Sequence, residues 1–228
     1  MRSGAVTMAK TTADLDRMLD DILAEIRYTR RMIGRDAFDP RVMEAVRRVP
    51  RHEFVDGDLR RHAYDNGPLP IGCGQTISQP YIVALMTELA GIGEGDRVLE
   101  VGTGSGYQAA VLAELGAEVF TIEVIPELGE AAAERLQRLG YGGIHTRIGD
   151  GYHGWIDEAP FDAVLVTAAA AEVPPPLVEQ LRPGGRMVIP VGGPYMGQDL
   201  LLIEKSEAGA VSRRSVLPVA FVPLTGTH

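Results

Sequence analysis

The sequence predicts an α/β fold: a Rossmann-like, seven-stranded sheet with added N-terminal helices. Three observations carry this expectation. From Arg97 onward, short apolar runs alternate with amphipathic stretches, the pattern of parallel strands joined by right-handed helical crossovers. The first run enters a glycine-rich turn, Gly102-Thr-Gly-Ser-Gly106, at the place where an open α/β sheet holds its ligand. The last two runs have no helical stretch between them, so they should close the sheet as an antiparallel hairpin.

In chain order, Leu15, Met18, Leu19, Ile22, Leu23 and Ile26 recur every three or four residues, which predicts a long opening helix from Ala13 to Ile33. A second helix is expected from Pro40 to Val49, with Asp39 as N-cap, a proline in the first turn and Pro50 as the stop. Residues 56–80 mix Gly, Pro, Asp and Asn without a period and read as a loop, after which a helix runs from Pro80 to about Leu89. Strands follow at Arg97–Val101, Glu118–Glu123, Ile144–Ile148, Ala163–Thr167 and Arg186–Val191, with helices near 107–115, 126–139 and 174–181. The hairpin takes Asp199–Glu204 and Val211–Val222. Residues 1–90 should form N-terminal helices and a substrate-covering loop, packed on a catalytic domain of residues 91–228. Five parallel strands plus a closing hairpin is the layout of S-adenosylmethionine-dependent methyltransferases.

At 228 residues and 45% hydrophobic content, the chain can bury one substantial core. Its 22 Lys and Arg against 31 Asp and Glu give a net charge of −9, which repels a nucleic-acid backbone and favours small molecules or peptides as partners. Cys73 is the single cysteine, so no internal disulfide forms. No apolar run approaches the roughly 18 residues of a membrane span, and no export signal opens the chain. A soluble, cytoplasmic protein without membrane contact is expected.

Glycines at 102, 104 and 106 let backbone pass close to a ligand where a Cβ would collide, with Thr103 and Ser105 in the same cradle. A dinucleotide fingerprint needs its third glycine at 107, where Tyr107 stands, so the turn suits a nucleoside without a pyrophosphate. Glu123 ends the next strand 19 residues after Gly104, where a carboxylate can accept both hydroxyls of a ribose, with Val124 beside it. Asp150, in Gly149-Asp-Gly151 after the third strand, either accepts from an adenine amino group or makes an Asx turn. Glu100, inside the first strand, orients the glycine turn or meets the methionine portion of the ligand through water. Ser78 reads equally as the N-cap of the helix at Pro80 and as a site hydroxyl.

Seven segments carry a more particular pattern: Val49-Pro-Arg-His-Glu-Phe-Val55, Pro68-Leu-Pro-Ile71, Gly74-Gln-Thr-Ile-Ser-Gln-Pro-Tyr81, the glycine turn, Gly149-Asp-Gly-Tyr-His-Gly-Trp155, Pro160-Phe-Asp162 and Phe221-Val-Pro-Leu224. Through them the chain resembles the protein-L-isoaspartate O-methyltransferase family across residues 39–226. The glycine turn is common to many methyltransferases, whereas Gln-Thr-Ile-Ser-Gln-Pro is much more particular to this family. The resemblance implies S-adenosyl-L-methionine as cofactor and isoaspartyl-containing peptides and proteins as partners. It implies methylation of the free α-carboxylate of L-isoaspartyl residues, the first step of repair, with Ser78 at the active site. Thr76, Ile77 and Val83 would approach the cofactor. No metal and no obligate protein partner is expected. Two positions depart from the pattern: Cys73 stands where many relatives have a histidine or an aromatic residue, and Ala220 where many bacterial relatives have an arginine. The same cofactor site would also serve another carboxylate or small-molecule acceptor, or a non-catalytic binding module. The presence of Ser78 argues against the last.

Overall fold

The computed structural model describes residues 2–193 and 197–227, with side chains from Thr12 onward. Helix α1 (Arg2–Ile33) buries Met18, Leu19, Ile22, Ile26 and Ile33, each such burial stabilising the fold by about 1.5–3 kcal/mol. It starts at Arg2 rather than Ala13, because residues before the apolar stripe contain no proline to stop it. Helix α2 (Pro40–Arg48) has the expected cap, Asp39 Oδ1 accepting from the Arg41 N–H at 2.8 Å. Residues 56–80 are more ordered than a loop. They hold a 3-10 turn, Gly57–His62, and an antiparallel hairpin of β1 (Leu69–Gly72) and β2 (Gln75–Ile77). Strands of four and three residues are too short to show alternation in a sequence. Cys73 sits at the hairpin tip with φ +50°, a left-handed conformation unusual for a residue with a side chain.

Helix α3 (Pro80–Ala90) leads into the sheet, whose elements are β3 (Arg97–Val101), α4 (Tyr107–Glu114), β4 (Glu118–Glu123), α5 (Pro126–Arg138), β5 (His145–Ile148), β6 (Phe161–Val166), α6 (Pro175–Glu179), β7 (Leu181–Gly193), β8 (Gly197–Lys205) and β9 (Val211–Val219). The seven strands lie in the order β5-β4-β3-β6-β7-β8-β9. The first five are parallel, and β8 and β9 are antiparallel additions, so the closing hairpin holds. Strand β7 starts at Leu181, earlier than Arg186. Leu181 pairs with Phe161 and Arg186 with Ala163, so residues 182–185 bulge out and hide the strand's beginning. Strand β9 ends at Val219, and the chain then leaves the sheet to make a single bridge from Pro223 to Ala169.

Alternation along β3 sends Leu99 and Val101 into one apolar cluster with Phe120, Ile122, Val164 and Val166. Val98 joins a larger cluster on the other face that takes in α1, α2, α3 and α4. Strand order reverses beside β3, whose neighbours are β4 and β6, so a crevice opens beyond the C-terminal ends of these strands. Among the described residues no helix is long and apolar enough to cross a membrane.

Candidate active site

Beyond those strand ends lies a cleft lined by Thr76, Ile77, Ser78, Val83, Glu100, Gly102, Thr103, Gly104, Ser105, Glu123, Val124 and Gly151. Gly102 has φ +97°, and a Cβ there would sit 2.5 Å from Thr167 Oγ1. That hydroxyl donates to the Gly102 carbonyl at 2.6 Å and locks the turn against the end of β6. At Gly151 a Cβ would run into Val101.

Glu123 is buried, and its carboxylate braces the glycine turn. Oε2 accepts from the Gly104 N–H at 2.7 Å and Oε1 from the Ile125 N–H at 3.0 Å. A carboxylate offers about four lone-pair sites, so capacity remains for ligand hydroxyls. Glu100 is fully buried, with Oε2 accepting from Thr121 Oγ1 at 2.6 Å and Oε1 left without a partner among the described residues. Burial pushes its carboxyl up to about 8, against the opposing pull of the Thr121 bond and with the Glu123 charge adding to the rise. A buried acceptor without a donor is costly, so this corner of the cleft suits a cationic N–H-bearing group.

Three expected residues lie outside the cleft lining. Gly106, at φ +88°, starts α4 and faces Leu136 of α5, whose carbons would be 3.2–3.3 Å from an added Cβ. Its lack of a side chain serves helix packing. Gly149 donates its N–H to the Glu123 carbonyl at 2.9 Å, extending the β4–β5 pairing. Asp150 makes the Asx turn that the sequence also allowed, Oδ1 accepting from the Tyr152 N–H at 3.0 Å. Its Oδ2 accepts from the Thr227 N–H at 2.7 Å, and a Cβ on Gly226 would collide with it. The C-terminal strap thus runs from Ala169, which it meets through hydrogen bonds of 2.8 and 2.7 Å at Val222 and Leu224, to Asp150. Val222 to Thr225 line the cleft on the way.

Thr76 and Ser78 also line an adjoining groove, with Tyr81, Ile82, Thr167 and Val219 to Val222. Ser78 does not cap α3. The N-cap is Gln79, without a side-chain bond, and the Tyr81 N–H goes to Asn66 Oδ1 at 3.1 Å. The Ser78 hydroxyl has no partner among the described residues, while its carbonyl accepts from the buried Arg51 Nη2 at 2.7 Å. Arg51 lies over the Tyr107 ring at 4.7 Å and donates Nε to the Ala63 carbonyl at 2.8 Å. The Ser78 segment is therefore fixed by its backbone, and the hydroxyl is free for a ligand.

Comparison with known proteins places the chain in a family. The family model described as Protein-L-isoaspartate(D-aspartate) O-methyltransferase (PCMT) matches residues 26–228. The chain belongs to this family. It is 61% identical over 212 residues to protein-L-isoaspartate O-methyltransferase 2 of Syntrophobacter fumaroxidans, covering 93% of this chain and 86% of that one. The enzyme of the same name from Polaromonas sp. is 61% identical over 209 residues, covering 92% and 99%. A solved protein-L-isoaspartate O-methyltransferase superposes with a TM-score of 0.79 at 28% identity, over 91% of this chain and 66% of that one. A Plasmodium falciparum structure assigned to the same activity, in complex with S-adenosyl-L-homocysteine, has a TM-score of 0.72 at 26% identity and coverage of 90% and 97%.

S-adenosyl-L-methionine fits this family member's cleft on the structure's own terms. The unpartnered Glu100 oxygen suits the ammonium of its methionine portion, and Glu123 suits its ribose. Sequence reasoning did not place Thr167, Gln75, Gln108, Ala168 or the strap residues Val222 to Thr225 in the cofactor cleft, which all of them line. Thr167 had a usable signal, since it follows a strand end. The strap had only the Phe221-Val-Pro-Leu224 pattern, because its place depends on where β9 lies.

Proposed function

We infer that this protein transfers a methyl group from S-adenosyl-L-methionine to the free α-carboxylate of L-isoaspartyl residues in damaged proteins and peptides. The resulting ester closes to a succinimide and so starts repair. The observation that carries this reading is that Thr76 and Ser78 line the cofactor cleft and the adjoining groove together, so two reactants can meet across them. The cofactor supplies a methyl group on a sulfonium. An acceptor carboxylate with a pKa of about 3.9 is ionised at neutral pH, so the displacement needs no general base. The protein contributes alignment and the exclusion of water.

Ser78 donates its hydroxyl to the acceptor carboxylate and aims one oxygen at the methyl group. Glu123 holds the ribose, Glu100 the ammonium, and the backbone of Gly102 to Ser105 lies against the nucleoside. Asp150 reaches an adenine amino group by exchanging its bond to Thr227. The acceptor is a peptide rather than a nucleic acid, and its backbone is held along the Gly74–Ser78 segment and the end of β9, two sheet edges that each pair on one side only. Such main-chain contacts tolerate varied flanking sequences. The test is the chemistry of the product. Label transferred to an isoaspartyl peptide should be lost as methanol in mild base, leaving succinimide-derived aspartyl and isoaspartyl forms. A base-stable label would mean a different acceptor.

A further inference from the structure

We infer that Glu25 makes the enzyme select acceptors that carry a positive charge beside the isoaspartyl residue. This rests on the function proposed above and adds a determinant on the acceptor side. Among the described side chains lining the groove, Glu25 is the one acidic or basic residue, the rest being apolar, hydroxyl or amide groups. It comes from α1, none of whose described side chains lines the cofactor cleft.

The carboxylate is held in place. Oε2 accepts from Asn66 Nδ2 at 2.8 Å and from Gln79 Nε2 at 2.9 Å, and Gln79 adjoins Ser78. The Glu25 carbonyl accepts from Thr29 Oγ1 at 2.8 Å, and that hydroxyl lies 2.6 Å from the Tyr81 hydroxyl. Further along, Arg35 pairs with the buried Glu88, and the Asp39 N–H reaches the same carboxylate at 2.8 Å. The Thr29–Tyr81 contact ties the helix carrying Glu25 to the helix that follows Ser78, and Glu88 ties that second helix to the segment after α1. Among the described residues Glu25 forms no ion pair, and Oε1 accepts no hydrogen bond. Two amide donors therefore hold a negative charge whose other oxygen is uncommitted.

An ordered, partly buried carboxylate attracts a cation with little further loss of side-chain freedom, and it repels an acidic neighbour over the same range. The reacting carboxylate itself is drawn towards the sulfonium side. A lysine or arginine side chain, or a free amino terminus, near the isoaspartyl residue would meet Glu25, and an acidic residue there would be disfavoured.

The experiment uses isoaspartyl peptides of one length that differ only in Lys, Gln or Glu, placed in turn on either side of the isoaspartyl residue. Methyl transfer is measured with the wild type, Glu25→Gln and Glu25→Lys. In the wild type, KM should be lowest for the Lys peptide and highest for the Glu peptide on at least one side, each step about two- to fivefold. kcat should change less, and the spread should narrow as salt shortens the screening length. Glu25→Gln keeps an amide oxygen for Asn66 and Gln79 and should erase the order, while Glu25→Lys should reverse it. A structural defect would move all the peptides together and leave their ratios alone. An equal KM for all peptides in the wild type, or an order that persists in Glu25→Gln, overturns selection by Glu25 while leaving the proposed function standing. If no isoaspartyl peptide is methylated, both fall.

Discussion

In the cofactor cleft, the central groups come from one continuous run, Glu100 to Ser105, and from strand ends beside it, whereas the groove proposed for the acceptor draws Glu25, Gln79 and Phe221 from three segments that meet only in the fold. The first is built largely from backbone held by side chains at the strand ends, such as the Gly104 N–H on Glu123 and the Gly102 carbonyl on Thr167. The second depends on side-chain amides: Asn66 and Gln79 on Glu25, and Gln198 exchanging bonds of 2.6 and 3.0 Å with the Phe221 backbone. The cofactor side should thus change through single substitutions that leave the acceptor side intact. The acceptor side should respond to changes far from any reacting atom.

The largest separation is expected at Ser78. Ser78→Ala should lower turnover about a hundredfold through loss of acceptor alignment, with cofactor affinity nearly kept. Its melting temperature should stay close to the wild type, because Asn66 rather than Ser78 serves the start of α3. Parallel losses of stability and activity would return Ser78 to a structural role. On the cofactor side, Glu123→Ala should weaken S-adenosyl-L-methionine binding by about 1–3 kcal/mol in calorimetry, with little change in peptide KM. Unchanged affinity would mean that Glu123 braces the turn without holding the ribose.

Glu100 sharpens the contrast through pH. Its carboxyl titrates at about 8 in the folded chain against an ordinary 4.5, so it is mostly neutral at pH 7 in the free protein. An ammonium placed beside it favours the ionised form, so cofactor binding at pH 7 should release about one proton and tighten as pH rises towards 8. Calorimetry in buffers of different ionisation enthalpy reads this directly, and Glu100→Gln should abolish the release. Because folding raises this pKa, ionisation opposes folding. The penalty is absent below pH 4.5, grows through the window to about 8 and is complete above it. Glu100→Gln should therefore gain stability relative to the wild type at pH 8 but not at pH 4. The smallest effect is expected at Asn66, where Asn66→Ala should cost about 1 kcal/mol of stability through the lost cap. It should also raise peptide KM more than cofactor Kd, and the reverse pattern would blur the two sides.

The same contrast explains what was legible in the sequence. Strands β3, β4 and β6 and the Gly102–Ser105 turn follow local rules of alternation and glycine spacing, and Glu123 follows from its distance along the chain. Gly106 lies outside the cleft lining and faces Leu136, a placement that spacing alone does not distinguish from one facing a ligand. Asp150 stayed ambiguous because its partner, Thr227, lies 77 residues away. The hairpin at 69–77 escaped because it is too short to show a period, and the start of β7 because residues 182–185 bulge. Glu25 is one of many polar positions on an amphipathic helix, and no local pattern singles it out. Its place in the groove follows from Asn66 and Gln79, which local patterns do not connect to it.

The most direct test of the assignment is a competition. Two peptides of identical composition, one with an isoaspartyl and one with an aspartyl residue, share one tube with methyl-labelled S-adenosyl-L-methionine. An isoaspartyl residue differs by one backbone methylene and presents its α-carboxylate as the side group, so charge cannot separate the two and geometry must. Misplacing the acceptor oxygen by about 1 Å costs on the order of a hundredfold in rate. Label should accumulate on the isoaspartyl peptide at least that much faster, with the aspartyl peptide almost unmodified. Equal labelling of both peptides would contradict the assignment and leave a methyltransferase whose acceptor is something else.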